Sequence, residues 1–161
     1  DCENKGVRYS QTMPLEEDLD SGQGRSWQST LSAGNREQAE TKLRNLNYDW
    51  QWQDDGSLSV TTPVLPAVRQ LKDGRTVFFN QLIAAFRGWK DVRNSGEKSI
   101  CFGDGSALDS AHMGLAIELA DELTFDIPWQ SGDVAVLDNF LVMHGRRPFE
   151  GKRAVLASLV A

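Results

Sequence analysis

The sequence predicts a mainly β fold with a few helices, read as one β-rich unit with two helical stretches. Three observations carry this expectation. Short apolar runs are cut repeatedly by turn signals at Asp55-Gly56, Asp73-Gly74, Ser131-Gly132-Asp133, Asp138-Asn139 and Glu150-Gly151. Aromatic residues recur with period two at Tyr48, Trp50 and Trp52. Only two stretches carry apolar residues at helical spacing.

In chain order, GVRYSQTMP alternates through Val7 and Tyr9 as a short strand, and the acidic, Gly/Ser-rich LEEDLDSGQGRS that follows reads as an exposed loop. NREQAETKLRNLN predicts a helix over about 35–46, with Asn35 as N-cap, Glu37 in the first turn, and Ala39, Leu43 and Leu46 on one side. YDWQWQDDGSLSVTTP predicts a hairpin closed at Asp55-Gly56, with Leu58 and Val60 alternating on the return strand. A strand through Val77, Phe78 and Phe79 is expected after Asp73-Gly74, and RGWKDVRNSGEKS returns to loop chemistry. SALDSAHMGLAIELADEL predicts the second helix, capped by Ser106 or Asp109, with Leu108, Ala111, Leu115, Leu119 and Leu123 along one side. The remaining runs VAVL, FLVMH and AVLASLV are expected as three closely spaced strands.

With 161 residues, 40% hydrophobic and 25% charged, the composition is that of an ordinary soluble globular protein able to build a core. A net charge of −6 without a Lys/Arg block argues against nucleic acid or an anionic membrane as partner, since both reward clustered positive charge. No apolar run reaches the ~18 residues that span a bilayer, and DCENKGVRYS has no signal-peptide pattern. Cys2 and Cys101 form no CxxC or zinc-finger spacing, so a cytoplasmic or other reducing intracellular compartment is expected.

His144 sits at the end of a strand-like run, just before Gly145, with Arg146, Arg147 and Arg153 close behind. If RRPFEGK connects two antiparallel strands, His144 and Arg153 share one end of the sheet, where an imidazole can hold a metal and a guanidinium can clamp a carboxylate. A histidine at a strand end also serves as hydrogen-bonded structure, and spacing alone leaves both roles open. Arg146 and Arg147 read as surface or ion-pairing residues. Strand alternation puts Asn80 on the face opposite Phe79 and Gln81, so Asn80 or Gln81 is either a substrate-side amide or an amide satisfying buried backbone. The five tryptophans, at 27, 50, 52, 89 and 129, read as packing residues, and Asp138-Asn139 as turn chemistry.

The run WQSGDVAVLDNFLVMHGRRPFEGKRAVLASL, from Trp129 to Leu159, resembles the C-terminal signature of the TauD/TfdA group of Fe(II)- and 2-oxoglutarate-dependent dioxygenases, in particular the clavaminate synthase-like branch. GVRYSQ, GRSWQSTL, DWQWQDDGSL, VFFNQL and FGDGS agree in the expected order, so the resemblance covers essentially the whole chain. It implies a double-stranded β-helix, or jelly-roll, holding one iron through two histidines and one carboxylate. His144 matches the distal histidine ligand, and Arg153, nine positions later, matches the arginine that binds 2-oxoglutarate. The implied cofactors are Fe(II), 2-oxoglutarate as cosubstrate and O₂. The implied activity is oxidation, by hydroxylation or another outcome, of a small-molecule substrate coupled to decarboxylation of 2-oxoglutarate to succinate.

The departure from the pattern is as informative. His112 is followed by Met113-Gly114 and His144 by Gly145-Arg146, so neither starts the family's HxD or HxE motif, and two of three iron ligands are missing. His112 falls in the second helical stretch, away from the strand end. The expectation is therefore that residues 1–161 are the C-terminal part of a single dioxygenase domain whose jelly-roll is incomplete in this chain, which on its own is inert, marginally stable and prone to self-associate as a homo-oligomer. The alternative is a non-catalytic jelly-roll binding module that has lost its iron site. Coding sequence upstream of Asp1 separates the two: HxD or HxE is expected within about one further domain length, and an in-frame start without it favours the module.

Overall fold

The computed structural model describes all residues except 19, 22, 148–149, 152–155 and 159–161. The chain opens with one helical turn, α1 (Cys2–Lys5), and enters strand β1 (Val7–Met13) through Gly6. Gly6 is required there: its φ is +64°, and a Cβ would lie 2.7 Å from Val64 Cγ1 and 2.8 Å from the Leu65 carbonyl oxygen. That close approach lets Val7 and Leu65 exchange two backbone hydrogen bonds of 2.8 Å.

Two helices follow the loop, α2 (Trp27–Leu31) and α3 (Arg36–Asn45). Asn35 caps α3 as expected, its side chain accepting from the Gln38 amide at 2.9 Å, with Ala39 and Leu43 fully buried. α2 was not expected. At five residues it is too short to show a period, and the burial of Trp27 together with the Ser26 cap decides it.

The hairpin forms as expected, with β2 (Asp49–Trp52) and β3 (Leu58–Thr61) joined around Gly56 at φ +81°. Next come the two-residue strands β4 (Arg69–Gln70) and β5 (Thr76–Val77), paired across the Asp73-Gly74 turn. Phe78 and Phe79 lie past the end of β5. Helix α4 (Leu82–Gly88), strand β6 (Ile100–Phe102) and helix α5 (Ser110–Leu123) complete the elements.

The strands form a four-stranded antiparallel sheet, ordered β2-β3-β1-β6, and the separate β4-β5 ribbon. The register sets Met13 opposite Leu58, which faces Trp52, and Tyr9 opposite Ile100. Because successive side chains alternate, one sheet face is apolar and carries two clusters. Met13, Leu58 and Val60 pack with Trp27, Ala39 and Leu43 from α2 and α3. Val7, Tyr9 and Ile100 pack with Leu82 and Ala85 of α4 and Met113 of α5. Each fully buried Leu or Val contributes about 1.5–3 kcal/mol relative to exposure.

Two expectations are corrected. α5 is capped by Asp109, whose carboxylate accepts from the Ala111 and His112 amides, but its buried residue is Met113. The Leu115, Leu119 and Leu123 stripe faces away, because α5 docks on α4 through the opposite side and the Arg87–Asp121 ion pair at 2.8 Å. The runs at 134–137 and 140–144 are not strands, although the turns around them form: Asp133 N donates to Gln130 O, and Leu141 N to Asp138 O. A β-patterned run becomes a strand only when another edge accepts its N–H and C=O groups, and among the described residues none does. The third run lies largely outside the described residues. The antiparallel sheets and accompanying helices agree with the expected class, and no complete jelly-roll closes among the described residues.

Leu43→Ala is expected to cost about 2–5 kcal/mol by leaving a cavity under α3, and Asn35→Ala about 1 kcal/mol by removing the cap. Urea unfolding measures both, and a near-neutral Leu43→Ala would contradict the packing described.

Candidate functional site

His144 lies in an irregular, solvent-exposed segment rather than on a strand, and among the described residues no hydrogen bond orients its ring. Phe140 is what docks this segment. Its ring stacks on Phe79 with centroids 5.0 Å apart, and the Arg69 guanidinium lies 5.2 Å from the Phe79 ring and 5.4 Å from that of Phe140. The segment carrying His144 is thereby held beside the β4-β5 ribbon and the stretch leading to Asn80. Arg147 pairs with Asp126 at 2.7 Å, the ion-pairing role expected of it, and Arg146 is exposed. Arg153 lies outside the described residues.

Asn80 and Gln81 stand on a turn between β5 and α4, so strand alternation does not run through them. The Asn80 amide is engaged at both ends: Nδ2 donates to the Ala67 carbonyl at 2.8 Å, and Oδ1 accepts from the Leu82 amide at 2.9 Å. It thereby secures the start of α4. Gln81 is the exposed N-cap residue of α4, and its backbone N–H donates to the Tyr9 hydroxyl at 3.0 Å. Burial pushes the Tyr9 phenol pKa up, against the lowering effect of that hydrogen bond.

The polar face of the sheet holds the other constellation. Ser10 and Thr61 hydroxyls meet at 2.9 Å, Thr12 and Ser59 at 2.8 Å, and Arg8 pairs with Asp49. The four hydroxyl residues line a groove of about 420 Å³ together with residues 91–95, Lys98 and Ser99. Asn94 stands where the next strand residue would: its Nδ2 donates to Thr12 O at 3.1 Å and its Oδ1 accepts from Thr12 N at 2.7 Å. Asp91 holds Asn94 in place. Its side chain is 5% exposed and accepts from the Arg93 and Asn94 amides, the Ser21 hydroxyl and the Arg93 guanidinium. Burial would raise its pKa, and hydrogen bonds from Arg93, Ser21 and Asn94 outweigh that and hold it below the ordinary value. None of Asn80, Gln81 and His144 lines this groove.

Sequence reasoning treated 91–99 as plain loop. The usable signal was local: Asp91, Arg93 and Asn94 form an Asx-type turn cluster, and β1 and β3 carry Ser-x-Thr on their polar positions.

Comparison with known proteins decides the family. The model of the taurine catabolism dioxygenase TauD, TfdA family matches residues 28–159. The chain belongs to the TauD/TfdA family. A clavaminate synthase-like protein of Arabidopsis thaliana is 35% identical over 98% of this chain and 48% of its own length. The dapdiamide synthesis protein DdaC of Enterobacter agglomerans is 29% identical over 97% of this chain and 49% of its own. The chain thus spans about half the length of these curated relatives.

TauD/TfdA members generally use Fe(II) and 2-oxoglutarate. The described residues do not by themselves fit that iron. A facial triad needs three convergent donors, and among the described residues no group of three His, Cys, Asp or Glu side chains comes together. His112 does not supply a second ligand: it is exposed on α5, 3.6 Å from the capping Asp109. Among the described residues no helix is long and apolar enough to cross a membrane.

A carboxyl whose folded-state pKa is depressed stabilises fully above its unfolded value and loses that contribution as pH falls through the folded value. Asp91 is therefore expected to make stability independent of pH above its ordinary value of 3.8 and to add to acid destabilisation below it. Asp91→Asn should unfold more easily at pH 7 and show a shallower acid limb in urea melts from pH 7 to 2. Parallel acid limbs in the two proteins would contradict the assignment.

Proposed function

We propose that this chain supplies the distal histidine ligand, His144, and the 2-oxoglutarate-binding arginine, Arg153, of an Fe(II)- and 2-oxoglutarate-dependent dioxygenase. In this reading it is the C-terminal part of a jelly-roll domain whose HxD or HxE ligands come from protein outside residues 1–161. The enzyme hydroxylates or otherwise oxidises a small organic substrate while converting 2-oxoglutarate to succinate. The observation that carries the reading is the family match over 28–159, which includes His144 followed at Arg153 by a guanidinium suited to a carboxylate. Metal and cosubstrate carry the hard chemistry in such enzymes. The task of this chain is to present an imidazole donor, hold the cosubstrate carboxylate, and exclude competing water.

The test uses the whole protein. Succinate formation and O₂ uptake should depend on both Fe(II) and 2-oxoglutarate. His144→Ala should abolish them. Arg153→Gln should raise the 2-oxoglutarate requirement roughly 10- to 100-fold with a smaller effect on kcat, the loss expected of one charge-assisted clamp. Undiminished turnover in the His144 variant overturns the iron assignment. A whole protein that binds a small molecule or protein but forms no succinate supports the non-catalytic module.

A further inference from the structure

The polar face of the sheet carries more hydrogen-bonding capacity than the fold uses. The Ser10 amide donates to the Ser99 carbonyl at 2.9 Å, so the β1–β6 ladder runs one position past the Tyr9–Ile100 pair. Strand alternation then sets Ser99 beside Ser10 on the polar face. With Thr61 on the other flank of Ser10, three hydroxyl residues cross the floor of the groove in one row, and Thr12 with Ser59 makes a second. Ser99 is only 3% exposed, and among the described residues its hydroxyl has no hydrogen-bond partner. A hydroxyl buried in that way is costly unless something meets it, and the groove it lines is where a partner can enter.

The charges around the groove are divided unequally. Asp91 spends its carboxylate on Ser21, Arg93 and Asn94, and Arg93 spends its guanidinium on Asp91 at 2.9 Å and Asp18 at 3.5 Å. Lys98 is left over: it is exposed on the groove edge, and among the described residues no carboxylate comes within ion-pair distance of it. The lining therefore offers one uncommitted ammonium, hydroxyls that both donate and accept, and no uncommitted carboxylate. A cation entering here finds no counter-charge, and an apolar molecule strands the hydroxyls.

We propose that this groove binds a small carboxylate that also carries hydroxyl or amide groups. Lys98 supplies the charge, and Ser99 with the two hydroxyl rows supplies the hydrogen bonds. The volume of about 420 Å³ is that of a site for a molecule of this size. The site does not depend on the reading of His144 and Arg153 as ligands, and the two stand or fall separately.

The experiment uses the whole protein without Fe(II) and measures binding of D-gluconate, a hydroxylated monocarboxylate, by calorimetry, with amide hydrogen exchange to place it. The expected result is one gluconate bound with a Kd of about 1 mM or tighter, with exchange over 10–12 and 95–99 slowed at least ~3-fold. Sorbitol, the corresponding neutral polyol, should bind at least ~10-fold more weakly, as should gluconate to Lys98→Gln, and Lys98→Arg should recover most of the loss. Ser99→Ala should weaken gluconate roughly 5- to 10-fold yet leave the urea midpoint of the free protein unchanged, because the hydroxyl it removes has no partner in the fold. Gluconate affinity should survive Arg153→Gln. Absence of gluconate binding, protection confined to other residues, sorbitol or Lys98→Gln binding as tight as the reference, a destabilised Ser99→Ala, or loss of gluconate in Arg153→Gln would each overturn the proposal. Gluconate bound as expected by a protein that forms no succinate would keep the groove and sink the oxygenase reading.

Discussion

The structure depends on the pairing of β1 along both of its edges. Its first half is bonded to β6 and its second half to β3, and where β6 stops, Ser99 and the Asn94 side chain take over the ladder. A central strand cannot leave backbone groups unpaired in a protein interior without losing about 1–3 kcal/mol for each. That constraint explains why Asp91 is buried at all: its carboxylate holds Asn94 in the place of a strand residue.

Strand alternation in β1 then divides the molecule. One side collects two apolar clusters under separate helix pairs, α2 with α3 and α4 with α5. The other side collects the Arg8–Asp49 pair and the hydroxyls that line the groove. The two clusters meet the same strand, so α3 and α4 are linked through β1 rather than through each other.

The chain belongs to the TauD/TfdA family, and its geometry shows where the residues singled out from the sequence stand. Phe140, packed against the Phe79 ring with the Arg69 guanidinium against both rings, ties the His144 segment to the rest. Asn80 is committed to the start of α4, and the donors that would complete a metal site are not found together among the described residues. His144 itself is exposed beside this anchor.

The sequence by itself determined the local elements whose signals lie within a few residues: the Asn35-capped helix, the hairpin at Asp55-Gly56, the Asp109-capped helix, and the turns at Gly132 and Asp138. It also determined the family, because motif order survives independently of packing. Tertiary structure decided which side of α5 is buried, since a 3.6-residue period shows that a helix has an apolar stripe but not whether a partner is present to cover it. It also decided that Trp27–Leu31 and Leu82–Gly88 are helices and that the runs at 134–137 and 140–144 are not strands. A helix satisfies its own backbone, whereas a strand exists only through the edge that pairs with it, and that edge is set by chain distant in sequence.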